Sequence, residues 1–188
     1  MFDGLVNGFT NMVDGLVNSF TKTFITDDRW MSFVQGFGNT LIIALFATLL
    51  GVMIGLVIAI VKVTHAQGGK LKILNAICCA YTAVIRGTPI VVQLLIMYNI
   101  ILVAVPDDLV LITAVLTFGI NSGAYVSEII RGGIQSIDRG QMEAGRSLGL
   151  TQGQTMKSII LPQAVKNILP ALGNEFIALL KETSVVGY

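Results

Sequence analysis

Four apolar stretches separated by polar segments set the plan of this chain. From Thr40 to Val61 there is no charged residue, and about 22 helical residues reach roughly 33 Å, the thickness of a bilayer core. A second charge-free window runs from Gly87 to Pro106, preceded by Ile73–Ile85, and Arg86 interrupts what would otherwise be one overlong apolar run. The crossing is expected to start near Arg86. Gly87-Thr88-Pro89 can break or kink a helix, which leaves Ile73–Ile85 open as an interfacial helix or as the tilted first half of the same one. Leu109–Ser127, about 19 residues, is long enough to cross. Asn167–Leu180 is shorter and carries Glu175, so it needs protein neighbours to cross. The pattern predicts an all-α, polytopic membrane protein with four spans.

Lysine and arginine resist translocation more than acids do, so their distribution orients the spans. The Lys62–Lys72 loop holds Lys62, Lys70 and Lys72 without an acid, and Glu128 to Lys166 holds Arg131, Arg139, Arg146, Lys157 and Lys166. Both are expected in the cytoplasm. Asp107 and Asp108 follow the second window without a base, and the N-terminal tail carries Asp3, Asp14, Asp27 and Asp28 against Lys22 and Arg29. Those sides are expected outside. In the tail, Asp3-Gly4-Leu5-Val6-Asn7 returns as Asp14-Gly15-Leu16-Val17-Asn18, and Phe9-Thr10 as Phe20-Thr21, a shift of about eleven residues or three helical turns. Phe2, Leu5, Val6, Phe9, Val13, Leu16, Val17 and Phe20 then share a face, which reads as an amphipathic helix on the outer membrane surface or as a tail packed on its neighbours. Residues 1–38 are assigned to this extracytoplasmic segment and 39–188 to the transmembrane domain.

Composition agrees with a membrane solvent: 54% of the 188 residues are hydrophobic and 12% charged, against about 25% charged in soluble domains. Twelve basic and eleven acidic residues leave a net charge of +1, which does not support a nucleic-acid-binding face. Cys78 and Cys79 are adjacent in an apolar stretch and form neither a disulfide framework nor a zinc spacing. His65, the only histidine, is read as a solvated residue of a cytoplasmic loop. No phosphate-cradling glycine loop is present: Gly68-Gly69-Lys70-Leu71 lacks both the hydroxyl and the preceding glycine.

After the third window comes a long cytoplasmic stretch, about 131–165. Gln141–Leu150 has a helix-forming start and a glycine stop, Thr151 can cap a second helix, and Met156, Ile159 and Ile160 supply its apolar side before Leu161-Pro162 bends or ends it. A short helix projecting from the cytoplasmic face can seat in a partner's groove. This stretch resembles the coupling loop of the permease subunits of ATP-binding cassette (ABC) importers, with its E-A-A, three residues, G, nine residues, I-x-L-P pattern. Here it stands as Glu143-Ala144-Gly145, Gly149, Ile159, Leu161 and Pro162, with Gly145 where the pattern has alanine, a change expected to loosen the docking helix slightly. Arg86-Gly87-Thr88-Pro89 with Val91-Val92-Gln93-Leu94, and Leu172 to Ser184, look like the branch that imports polar amino acids.

The resemblance implies a type I importer transmembrane domain of an expected five spans, of which the apolar windows supply four, while the charge pattern puts the N-terminus outside. It further implies two paired permease copies, identical or related, in the bacterial cell membrane, with ABC ATPase subunits below and an extracytoplasmic amino-acid-binding protein above. ATP and Mg would be bound by the ATPase, with no cofactor and no catalysis on this chain. Relatives carry one further helix, so the chain is expected to be a truncated core. Charged and amide groups within spans are costly and therefore candidates for the substrate path: Glu175, Gln93, Asn99, Asn121 and Glu128. Glu128 has an alternative, pairing with Arg131 three residues on, and Glu175 could instead bond a neighbouring helix such as that of Gln93. Gly119, Asn121, Ser122 and Gly123 suit close helix packing first and ligand contact second. A gradient-driven carrier or channel subunit is the alternative function, but it gives the Glu143–Pro162 loop no purpose.

Overall fold

The computed structural model describes residues 2–69, 71–103, 106 and 109–184, without the side chains of residues 2–5 and 27. The expectations resting on Lys70, on Asp107 and Asp108, and on the end at Tyr188 lie outside the described residues. The chain divides into two compact units, Met1–Thr40 and Leu41–Tyr188.

In the first unit, α1 (Phe2–Phe20) is followed by a wide π turn, Thr21–Ile25, and a tight turn, Thr26–Asp28, before α2 (Arg29–Ala66) begins. The rings of Phe20 and Phe24 stand 5.0 Å apart and those of Phe24 and Phe33 5.1 Å apart, so aromatic packing fixes the corner.

In the second unit, α3 (Lys72–Gly87), α4 (Ile90–Ile96), α5 (Val110–Gln135), α6 (Arg139–Ser147), α7 (Gln152–Thr155) and α8 (Leu161–Glu182) follow. Among the described residues, α2 and α5 are each long and apolar enough to cross a membrane, and α3 with α4 and its extension to Ile101 would form a third, bent by 104°. The apolar run from Gly87 therefore does not form one straight crossing starting at Arg86. Thr88 is extended (φ −115°, ψ 139°) because a residue before proline is pushed out of the helical region, and Pro89 (φ −61°, ψ 139°) is the N-cap residue ahead of the next helix. The seven residues of α4 and the five of the π turn Met97–Ile101 reach only about 18 Å. α8 has 22 residues, longer than the apolar window within it, because Pro162 sits in its first turn, where a missing N–H is tolerated, rather than ending it. α8 is long enough to cross but is not among the described helices apolar enough to do so on their own; it packs along α5.

Close approach of α2 and α5 organises the interior. Ala47, Gly51, Gly55 and Ala59 recur every fourth residue on α2 and are buried, and a methyl on Gly51 or Gly55 would lie within 2.7 Å of Ser122 or 2.6 Å of Val126. From the other side, Gly119 and Gly123 of α5 receive Leu50 and Ile54. Small residues thus let the two backbones approach where lipid supplies no hydrophobic drive, which is the packing role expected of the Gly119–Gly123 patch. Ile43, Ala44, Ala47, Leu94, Ala114, Phe118 and Leu179 form one apolar cluster joining α2, α4, α5 and α8. Ala59, Val126, Ile130, Ala164 and Ile168 form a second.

Lys62 belongs to this interior rather than to a loop. It lies in α2, only 8% exposed, and its Nζ donates to Glu128 Oε1 of α5 at 2.7 Å and to Thr82 Oγ1 of α3 at 2.8 Å. Placing it in a loop fails because α2 runs past the charge-free window to Ala66. His65, one turn on in the same helix, is half-buried with a shielded Nδ1, not a solvated loop residue.

Candidate coupling loop and polar interior

After α5 the chain turns through Ser136 and Ile137 into α6, capped by Asp138, whose carboxylate accepts from the Gly140 N–H at 2.6 Å. α6 stops at Gly149, which adopts φ +83°, while the Leu150 N–H returns to the Gly145 carbonyl at 3.2 Å. A left-handed stop of this kind favours glycine. Thr151 caps α7 through a reciprocal box with Gln154, as its position before the second helix predicts. A π turn, Met156–Ile160, then joins α7 to α8.

Folded in this way, the loop brings Gly145, Thr155 and Ile159 together. Gly145 is buried, and a methyl there would meet Thr155 Cγ2 at 2.5 Å and Ile159 Cδ1 at 3.2 Å. Glycine at this position accommodates the Thr155 side chain; the expectation of a merely loosened helix misses this contact, because Thr155 lies one helix further on. Glu143 and Ala144 are exposed on α6, Leu148 is 82% exposed at its end, and Leu161 and Pro162 are exposed at the start of α8. Glu143 makes no side-chain hydrogen bond or ion pair among the described residues, leaving its carboxylate at the surface. Gln152 Nε2 donates to Gln67 Oε1 at 3.0 Å, tying the loop to the end of α2.

Between the long helices, two neighbouring residues of α5 hold two polar partners. Asn121 donates through Nδ2 to Gln93 Oε1 of α4 at 3.0 Å, and Ser122 donates through Oγ to Glu175 Oε1 of α8 at 2.9 Å. Gln93 also steadies the break before α4. Its Nε2 donates to the Ile85 and Thr88 carbonyls at 2.8 and 3.1 Å, satisfying acceptors freed where α3 ends. Glu175 does bond a neighbouring helix, but its partner is α5 and not Gln93. Asn99 is exposed and donates to Leu95 O of its own helix at 2.9 Å, apart from this group. Both Glu128 oxygens are engaged, one by Lys62 and the other by Arg131 at 2.6 Å.

Beside Asn121 opens a cavity of about 320 Å³, lined among others by Arg86, Thr88, Tyr125 and Glu182, with the Arg86 guanidinium 5.1 Å above the Tyr125 ring. Arg86 and Glu182 sit at the edges of apolar windows, where a charge carries no signal of its own. The break at Thr88-Pro89 and the end of α8 carry them to one place.

Residues 51–188 match the family described as binding-protein-dependent transport system inner membrane component. The chain belongs to this family. As a member, it is a permease component of the bacterial inner membrane. It is similar to the arginine transport system permease protein of Bacillus subtilis (strain 168), 41% identical over 158 residues, covering 81% of this chain and 68% of that one. A permease of Rickettsia prowazekii (strain Madrid E) named for glutamine transport matches at the same identity and the same coverage. The crystal structure of an amino acid ABC transporter with histidines superposes with a TM-score of 0.74 at 43% identity, over 84% of this chain and 73% of that chain. An inward-facing methionine ABC transporter, 21% identical with a TM-score of 0.74 over 87% of this chain and 76% of its own, shares the fold.

Proposed function

We propose that this permease is the membrane subunit of an ATP-driven, binding-protein-dependent importer of polar amino acids. The observation that carries the reading is α6, a capped helix stopped by a left-handed glycine, with Glu143, Ala144 and Leu148 free at its surface. Such a helix suits the groove of an ATPase subunit that binds ATP and Mg, and its clamp on Thr155 and Ile159 would pass movement directly into α8. A second permease copy and an extracytoplasmic amino-acid-binding protein complete the assembly. Residues 1–38 are the external amphipathic segment, 39–188 the transmembrane domain, and about 131–165 its cytoplasmic coupling loop; α8 crosses with α5 shielding Glu175 from lipid.

Gln93, Asn121 and Glu175 are the path residues in this reading, and Asn121, bonded to Gln93, lines the cavity edged by Arg86 and Glu182. Opposite charges on one cavity suit the carboxylate and ammonium ends of an amino acid. Glu128 is assigned to the clasp with Lys62 and Arg131, and Asn99 to its own helix.

The test is reconstitution with the cassette ATPase and the binding protein in liposomes, supplying labelled arginine, histidine or glutamine. Uptake of at least one is expected with ATP and not with a non-hydrolysable analogue. Uptake that persists with the analogue, or that an ion gradient alone drives, would overturn the proposal.

A further inference from the structure

The family match begins at residue 51, and the transport reading, on which this inference rests for the external side, leaves open what the amphipathic segment of α1 contacts. Yet Val6, Phe9, Val13, Leu16, Val17 and Phe20 are all exposed, between 36% and 66%. At 100° per residue they fall in one sector, with Asn7, Asn11, Asp14 and Asn18 on the other side. The 11-residue repeat keeps this division constant, because three turns of helix return each residue type almost to the same direction. α1 has 19 residues, a length that could span a bilayer, but it is not among the helices apolar enough to cross. One face is too polar for the bilayer core and the other too apolar for water.

Two further observations identify the occupant. The short turns over Thr21–Asp28 join α1 to α2, a helix long and apolar enough to cross a membrane, so chain continuity keeps its end within reach of a bilayer surface. Its charged residues are Asp3 and Asp14, with no lysine or arginine between Phe2 and Phe20. An acidic polar face gains nothing from anionic headgroups, so apolar burial at a zwitterionic interface is the attraction left to it. We propose that α1 is a lipid-surface helix, lying along the bilayer interface with Phe9 and Leu16 turned into the acyl region. Gly8 and Gly15, which face open space, weaken the helix in water, so the bilayer also holds it in shape.

The test uses the full chain in phosphatidylcholine nanodiscs, on a Cys78→Ser, Cys79→Ser background, with single nitroxide-labelled cysteines at Phe9, Leu16, Asn11 and Asn18. At the first two positions the label should collide readily with oxygen and poorly with a water-soluble nickel chelate, with the reverse at the last two. Replacing half the lipid by phosphatidylglycerol should not deepen the burial. In a chain carrying Phe9→Asp and Leu16→Asp, a label at Val13 should gain nickel accessibility at least twofold. Nickel access on both faces would mean a helix free in water, and exclusion of both reagents at Phe9 and Leu16 would mean a protein partner. Either result overturns the proposal, as does a Val13 label indifferent to the two aspartates. The probes read depth rather than uptake, so failure here and failure of transport are separate outcomes.

Discussion

Gly145 shows how one missing methyl can set the geometry of the proposed coupling loop. The Thr155 side chain occupies the space that a Cβ at Gly145 would need, which lets α6 lie against the π turn leading into α8. Overpacking at such a contact costs about 1–3 kcal/mol. Gly145→Ala should therefore lower the thermal midpoint of the detergent-solubilised permease and reduce recovery of the ATPase on it. Adding Thr155→Ala should restore most of both. A double variant no better than the single one would show that the contact does not limit the loop. The sequence spacing carried the glycine stop and the Thr151 cap, because each acts within one turn of its own position. It could not carry the Gly145–Thr155 contact, which exists only once Gly149 has turned the chain back.

At the scale of elements, the clasp of Lys62 on Glu128 and Thr82 joins three helices at a buried point. Removing one partner of a buried pair leaves the other uncompensated, typically a loss of about 3–5 kcal/mol. Arg131 still holds the second Glu128 oxygen, so Lys62→Met should fall at the low end, about 3 kcal/mol. Glu128→Gln combined with Lys62→Met should be less damaging than the sum of the two changes, as measured by a double-mutant cycle on unfolding in detergent. Additive losses would show that the two groups stabilise their helices separately. Hydropathy located the apolar parts of α2 and α5, because composition decides them. It placed Lys62 in a loop because the partner that makes burial tolerable lies on another helix. The same limit applies at Thr88-Pro89: the dipeptide announces a break, but the 104° bend depends on Gln93 satisfying the freed carbonyls.

At the scale of the whole molecule, α5 links the parts assigned to transport. Asn121 reaches α4, Ser122 reaches α8, Glu128 reaches α2, and the end of α5 leads through Ser136 into α6. Asn167 Nδ2 of α8 also donates to Ser136 Oγ at 2.8 Å, so a displacement of α6 and α8 has a bonded route back to α5. Movement at the loop should then alter the cavity edged by Arg86 and Glu182, as alternation between two packings requires. If the amino acid passes this cavity, neutralising either charge removes a charge-assisted hydrogen bond of about 1.5–3 kcal/mol, or about tenfold or more in rate. Arg86→Gln and Glu182→Gln should each lower maximal uptake by about that factor while the concentration of loaded binding protein giving half-maximal uptake stays constant. Tyr125→Phe keeps the ring beneath Arg86 and should transport normally, separating the charge from the packing around it. Unchanged maximal uptake in both charge variants, with the complex intact, would place the amino-acid path elsewhere among the helices and leave Arg86 and Tyr125 as a packing pair.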